Sequence, residues 1–377
     1  MRIESWSARP VAEGAALPGH ERNLSTMRSI IYLTIVLLMQ VLLGARQARA
    51  QEDSVGAARL KHDFTGLDIA YIITAAPHRT QLLASIRSLL FYRSCAVHLH
   101  IVMDSHNRRW LEDQHVVFRD YHLLQVTYYD VPEIPSDYQL GESLRVRSGS
   151  PTAGISFALK LQLLRTIVAA VDRLILLDAD TVIVDDVCAA HEVFDGLAPG
   201  VLVGFAPEMT LWYVDRPTVG LHISSNHRYK FRRSQGMNSG VGFWRLDHAR
   251  QVGWLDAWHP LLVQEMRYQN MTTLDLGDQD VFNLISHQKP DWFDIVSWEW
   301  NLQLAVCQHY PHDEALNVLL PKAKIVHGND GHFNKHAGSL IEHVYEAFAV
   351  DSRSVARMAS IKTMVRDGYL ELCGCRL

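Results

Sequence analysis

From residue 67 onward, the apolar positions of the chain change period repeatedly. The run LDIAYIITAA (67–76) is apolar, ends in small residues and reads as a strand. Residues 80–92 follow a helical period instead, with Leu82, Leu83, Ile86, Leu89 and Leu90 on one face. Further strands are predicted over 97–103, closed by Asp104, over 124–131 and over 173–177, with a helix over 157–171 before the last of them. Strands separated by helices predict an α/β fold with a mostly parallel central sheet of βαβ units. Ligands of such sheets sit beyond the carboxyl ends of the strands. The stretch 135–152, rich in Ser, Gly and Pro, reads as a loop, and no internal repeat is visible.

The amino-terminal part has a different pattern. Residues 30–45, IIYLTIVLLMQVLLGA, are an apolar run preceded by Arg28 and followed by Arg46 and Arg49. Two readings stand. The run is short for a membrane span, which needs roughly 20 residues, but flanking residues can extend it into a type II signal anchor. As a signal peptide it has an Ala-x-Ala site at Ala48-Arg49-Ala50, cleaved near residue 50. Either reading places the remainder in the lumen of the secretory pathway, at an ER or Golgi membrane if the anchor is kept. The predicted organisation is a cytoplasmic tail over 1–29, the anchor segment over 30–46, a stem over 47–65, a catalytic domain over 66–345 and an extension over 346–377. Within that extension, 355–366 can form a helix.

Charge changes once this division is made. The full chain has 36 basic and 41 acidic residues; residues 1–50 hold six and three of them, so the remainder carries 30 against 38, a net of −8. An acidic lumenal part argues against nucleic acid as a partner. The run His227-Arg228-Tyr229-Lys230-Phe231-Arg232-Arg233 interleaves bases with aromatics, but in that setting it reads as a solvated or acceptor-facing loop. Five cysteines (Cys95, Cys188, Cys307, Cys373 and Cys375) are too few for a disulfide scaffold, and their odd number leaves at least one outside an intrachain pair. Asn270-Met271-Thr272 is a usable glycosylation sequon.

The sharpest chemistry lies in RLILLDADTVIVDDV (173–187). Leu174 to Leu177 suit a strand buried on both faces, and Asp178-Ala179-Asp180 follow at its carboxyl end. Two carboxylates separated by one small residue can face one cation, and oxygen ligands suit Mn²⁺ or Mg²⁺. Such an ion would stabilise a diphosphate leaving group. Asp185-Asp186 reads as a solvated loop or helix cap. Gly236-Met237-Asn238-Ser239-Gly240-Val241 offers glycines for close backbone approach beside small polar side chains. Leu276-Gly277-Asp278-Gln279-Asp280 opens a helix, from whose first turn an acid and an amide could reach sugar hydroxyls or simply cap the helix. Lys324-Ile325-Val326-His327-Gly328-Asn329 puts a histidine at the end of a short strand, where a neutral imidazole could complete a metal shell.

In this order, Asp178-Ala179-Asp180, Asn238-Ser239-Gly240, Asp278-Gln279 and His327-Gly328 resemble glycosyltransferase family 8. Within it, Ala206-Pro207-Glu208, Trp300-Asn301 and His327-Gly328-Asn329 resemble the glucoside xylosyltransferases, with the LARGE-type xylosyltransferase domain as a near neighbour. The resemblance implies a GT-A fold and a retaining, metal-dependent transferase. It assigns the metal, expected to be Mn²⁺, to Asp178, Asp180 and His327. It places Asn238, Ser239, Asp278 and Gln279 at the donor sugar, with Asp278, Gln279 and Lys160 as the catalytic candidates. Lys160 would contact the donor, Thr74, Ala75 and Ala76 would hold uracil and ribose, and Ala179 and Gly328 would line the nucleotide site. The lysine that meets the diphosphate corresponds to Lys335, at a spacing that departs from several relatives. The implied donor is UDP-xylose, with UDP-glucose and UDP-galactose as family alternatives, and the implied acceptor is a glycoprotein glycan of the O-glucose type. Trp212, Tyr213, Trp298 and Trp300 could stack on acceptor sugars or pack in the core. The remaining alternative is a glycan-binding protein without turnover on the same fold.

Overall fold

In a computed structural model of the chain, the structure describes residues 66–74, 78–113, 123–132, 145–146, 158–167, 170–210, 236–271, 273–305 and 319–329. Expectations for the tail, apolar run and stem (1–65), for Ala75, Ala76, Trp212 and Tyr213, for the basic run 227–233, and for Lys335 and the C-terminal extension fall outside them. Among the described residues no helix is long and apolar enough to cross a membrane.

Seven strands form the main sheet. In chain order they are β1 (Leu67–Ile73), β2 (Val97–Met103), β3 (Leu124–Asp130), β5 (Arg173–Leu177), β7 (Val203–Pro207), β8 (Met237–Arg245) and β10 (Phe293–Ile295). Their spatial order is β10-β7-β8-β5-β1-β2-β3. All run parallel except β8, which is antiparallel to both β5 and β7. A small sheet of β11 (Leu302–Gln303), β12 (Ile325–His327) and β6 (Thr181–Ile183) lies beyond the end of β5, and β4 (Arg145–Val146) pairs with β9 (Thr273–Leu274). Of the predicted loop 135–152 the described residues are Arg145 and Val146, and they form a strand.

Apolar residues on both faces of the strands make the sheet the middle layer of a three-layer core. On one face, Leu67, Ile69, Tyr71, Leu99, Ile101 and Ile175 pack on Leu82, Ile86 and Leu89 of α1 (Arg79–Tyr92). On that side α2 (Ser105–Asp113) contributes Leu111, and α4 (Ala190–Gly196) contributes Phe194. On the other face, Leu174, Leu176 and Trp244 pack on α5 (Leu246–Gln251), α6 (Trp254–Tyr268) and α7 (Asp278–Gln288). Trp244, Trp254 and Phe282 are packed there with centroids 5.7–6.0 Å apart, which puts two of the tryptophans in the core. Trp300 is buried too, edge-on to Phe243. Of the two readings open for Trp300, sugar stacking or core packing, this is the second.

The helix expected over 157–171 is interrupted. Residues 158–161 are helical, Gln162 leaves the helical region (φ −103°, ψ 19°), α3 (Leu163–Thr166) is one turn long, and Ile167 is extended. Ala158, Leu159, Lys160, Leu161, Gln162 and Leu163 are all buried. This segment is therefore enclosed on all sides, as the first two turns of α7 also are. Asp186 caps the turn at Val187–Ala189 by accepting from the Cys188 amide, the capping role anticipated for the second acidic pair. Cys95 and Cys188 form a disulfide, which sequence spacing alone did not assign. Asn270 of the sequon is exposed just beyond α6.

Candidate active site

The carboxyl ends of β5 and β12, the early part of β8 and the start of α7 converge on one cluster. Asp178 leaves β5 with its amide donating to the Gly240 carbonyl of β8 at 2.9 Å. The Asp178-Ala179-Asp180 turn then carries the chain from the main sheet into β6. Thr181 ties it by donating its hydroxyl to the Asp178 carbonyl at 2.8 Å. Antiparallel pairing of β6 with β12 sets His327 opposite Thr181, and the Gly328 amide donates to the Asp180 carbonyl at 2.8 Å. His327 Nε2 consequently stands 3.4 Å from Asp180 Oδ1 and 4.0 Å from Asp178 Oδ2. Thr74 follows β1, which runs parallel to β5, and so lies at the same end of the sheet.

Lys160 occupies the inner wall. Its Nζ lies 2.7 Å from Asp178 Oδ1 and 2.9 Å from Asp278 Oδ2. Asp278 is delivered by Gly277, whose φ of 64° and ψ of −120° only glycine adopts readily. It does not cap α7. Its Oδ2 instead accepts from Lys160 and, at 2.6 Å, from the Ser239 hydroxyl. Asp280 holds the approach to the helix by accepting from the Asp275 and Leu276 amides.

The Asn238-Ser239-Gly240 segment lies within β8 rather than in a turn ahead of it. Between Phe205 and Ala206 the β7–β8 register shifts, so Phe205 pairs with Gly242 and Ala206 with Asn238. Bulges of this kind re-aim side chains next to active sites; here Ser239 is turned onto Asp278. Gly240 is required by contact: a Cβ there would overlap the His327 ring.

Behind these residues runs a buried relay that sequence reasoning caught only as the Ala206-Pro207-Glu208 and Trp300-Asn301 motifs. Glu208 Oε2 accepts from Asn238 Nδ2 and from Gln279 Nε2, both at 2.9 Å. Asn238 Oδ1 accepts from Asn301 Nδ2 at 2.8 Å, which leaves Asn301 Oδ1 to accept from His327 Nδ1 at 3.1 Å. This chain of donors puts the proton of a neutral His327 on Nδ1 and turns the Nε2 lone pair toward the two aspartates. Partners of this kind fix the tautomer of a metal-ligating histidine.

Electrostatics point the same way. Asp178, Asp180 and Asp278 present three carboxylates to one ammonium, which leaves two negative charges. Burial alone would discharge Lys160, but Asp178 and Asp278 outweigh it and hold its pKa above the ordinary lysine range. Burial also pulls the His327 pKa down, and the charge and hydrogen bond of Asp180 more than reverse it. Burial, opposed by Lys160 and reinforced by Asp180, raises the Asp178 pKa. The side chains of Asp178 and Asp180 remain 28% and 25% exposed, whereas Lys160 keeps only 8%. The carboxylates therefore face an opening and the lysine supports them from within. Ligand atoms of Asp178, Asp180 and His327 all lie within 4.8 Å of one another. Two carboxylates, one oriented imidazole and an uncompensated double charge fit a hard divalent cation.

A mostly parallel α/β sheet with one reversed strand, and an acidic pair at the end of a central strand, define a GT-A glycosyltransferase fold. Comparisons with known proteins agree. The xylosyl- and glucuronyltransferase LARGE1 of Danio rerio is 25% identical over 265 residues, covering 70% of this chain and 32% of that protein. LARGE2 of Mus musculus is 27% identical over 282 residues, covering 72% of this chain and 37% of that protein. The chain thus spans about a third of the length of the curated relatives it matches. Among solved structures, mouse xyloside xylosyltransferase 1 in its apo form superposes with a TM-score of 0.53 at 22% identity, over 70% of this chain and 98% of that one. Galactosyltransferase LgtC in complex with donor and acceptor sugar analogues gives a TM-score of 0.52 at 13% identity, over 78% and 100%. The resemblance to glycosyltransferase family 8 carried by the ordered motifs is in keeping with these relatives. No protein-family model matches the chain.

Proposed function

We propose that the chain is a retaining, metal-dependent glycosyltransferase that moves xylose from UDP-xylose, in α linkage, onto an O-glucose-type glycan of a glycoprotein. The observation that carries this reading is the convergence of Asp178, Asp180 and His327 at the strand ends, backed by Lys160, Asp278 and Ser239. The choice of xylose is supported by the xylosyltransferase names of the relatives.

In this reading Asp178, Asp180 and His327 hold Mn²⁺ or Mg²⁺, which when bound supplies a Lewis acid that neutralises the departing diphosphate. Thr74, with Ala75 and Ala76, lines the uracil and ribose, and Ala179 and Gly328 shape the nucleotide site with their backbone. Lys160, and Lys335 from outside the described residues, add positive charge towards the diphosphate. Asn238, Ser239, Asp278 and Gln279 orient the sugar. Asp278 Oδ2 is tied by an ammonium and a hydroxyl, and the Gln279 amide is tied to Glu208. Such ties weaken both as nucleophiles and favour attack from the face the phosphate leaves, with a phosphate oxygen accepting the acceptor's proton. The Cys95–Cys188 disulfide supports an oxidising compartment, and with the apolar run at 30–45 it supports a type II, single-pass enzyme of the ER or Golgi.

The test is UDP release from a panel of UDP-sugars in Mn²⁺, with Asp180→Asn as control. UDP-xylose should turn over fastest, and Asp180→Asn should abolish release while keeping the fold. Faster turnover of UDP-glucose or UDP-galactose would reassign the donor. Full activity in Asp180→Asn or in chelator would overturn the metal role. Binding of UDP without any release would make this a glycan-binding protein instead.

A further inference from the structure

At the other end of the sheet from this site, β1 and β2 carry a second cluster of metal-ligating side chains. Asp68 pairs directly with His98, and His100 stands one pleat further along the same face of β2. This is the face opposite Leu67, Ile69, Leu99 and Ile101, whose side chains fill the core. His100 Nε2 lies 2.8 Å, and His98 Nδ1 3.3 Å, from the same oxygen, Asp68 Oδ1. The two rings are 4.0 Å apart between centroids, and the three ligand atoms all lie within 4.8 Å of one another.

The outer nitrogens are held as well. His98 Nε2 is 2.7 Å from Thr127 Oγ1, and His100 Nδ1 is 2.8 Å from the Tyr129 hydroxyl. Both partners come from β3, so three adjacent strands fix two imidazoles with one nitrogen on a hydroxyl and the other turned to a shared carboxylate. That is the arrangement in which hydrogen-bonding partners orient metal-ligating histidines. The nitrogen-to-oxygen distances of 2.8 and 3.3 Å compare with the roughly 3.3 Å between neighbouring ligands around a tetrahedral ion with bonds near 2.0–2.1 Å. The His98 and Asp68 side chains are 15% and 22% exposed while that of His100 is fully buried. The cluster is therefore anchored on its inner side and open on its outer one.

We propose that Asp68, His98 and His100 form a second divalent-metal site, selective for zinc-type transition ions. Its ligand chemistry differs from that of the donor site: two imidazoles and one carboxylate favour Zn²⁺, whereas two carboxylates and one imidazole accept Mn²⁺ or Mg²⁺. An ion there would cross-link β1 to β2 beside the sheet edge and stabilise the folded chain.

The test is Zn²⁺ titration of the chelator-stripped full chain against a chromophoric competitor, in excess Mg²⁺, with melting temperature followed in parallel. Wild type and the double variant Asp178→Asn/Asp180→Asn should each bind one tight equivalent and melt higher with Zn²⁺. His98→Gln/His100→Gln should lose that equivalent and the thermal response. Asp68→Asn, which keeps the side-chain shape, guards against misfolding of the histidine variant and should bind about 100-fold more weakly. Equal Zn²⁺ binding by wild type and Asp68→Asn, or no tight equivalent in wild type, would overturn the proposal. So would loss of the equivalent in Asp178→Asn/Asp180→Asn alone.

Discussion

Replacing Lys160 by Met probes the electrostatics of the donor site most directly. The methionine keeps the length and apolar stem of the lysine, so packing changes little and charge changes by one. Because Nζ lies 2.7 Å from Asp178 Oδ1 and 2.9 Å from Asp278 Oδ2, those oxygens stand at most 5.6 Å apart. Without the ammonium, two unit charges at that separation repel by about 3 kcal/mol at an effective dielectric of 20. Asp178 is 28% exposed, and solvent screening reduces the expected loss to about 2–3 kcal/mol. The assay is urea unfolding followed by tryptophan fluorescence in chelator, with Lys160→Met, Asp278→Asn and the double variant. Lys160→Met should be destabilised by the stated amount. Adding Asp278→Asn should restore most of it, because one of the two facing charges is then gone. A stability within about 0.5 kcal/mol of wild type, or a double variant whose losses simply add, would refute the reasoning and mean that the lysine is not the counter-ion of the two acids.

Three further outcomes are expected. Gly240→Ala should push the His327 ring aside, cost about 1–3 kcal/mol of stability and weaken Mn²⁺ binding measured by calorimetry more than it lowers the melting temperature of the metal-free chain. Glu208→Gln places an amide donor against the donors of Asn238 and Gln279; activity should fall at least tenfold with the circular dichroism unchanged, at a stability cost of about 1–3 kcal/mol. Cys95→Ala/Cys188→Ala opens a loop whose ends are 93 residues apart, so the urea midpoint should drop by the equivalent of about 4–5 kcal/mol, and dithiothreitol should affect the wild type alone.

Much of the local structure was legible in the order of residues. β2 and β5 run over the residues their apolar patterns predict, and α1 begins one residue before the helix read from Leu82, Ile86 and Leu89. Asp186 caps a turn as its position suggested. The exception among the helices is 157–171, where the backbone leaves the helical region at Gln162 and is extended at Ile167. Asn238-Ser239-Gly240 was legible as a close-approach segment, but not as the beginning of a reversed strand. Trp300 was open to sugar stacking or core packing in the sequence, and its contact with Phe243 selects packing.

Residue type and local order by themselves determined that a buried strand ends in two carboxylates, that a glycine-led helix opens with an acid and an amide, and that a histidine closes a late strand. These follow from nearest-neighbour backbone preference and from the period of burial, which act within a dozen residues. What only the tertiary structure decided is which of those groups meet. The β6–β12 pairing brings His327 to Asp180, the break after 158–161 accompanies the burial of Lys160 between Asp178 and Asp278, and the shifted β7–β8 register aims Ser239. The same holds for Asp68, His98 and His100, ordinary strand residues in the sequence that become a cluster only when β1 and β2 align in register. Pairing register and burial are properties of the whole packed core, in which distant segments compete for the same volume, and no local pattern records their outcome.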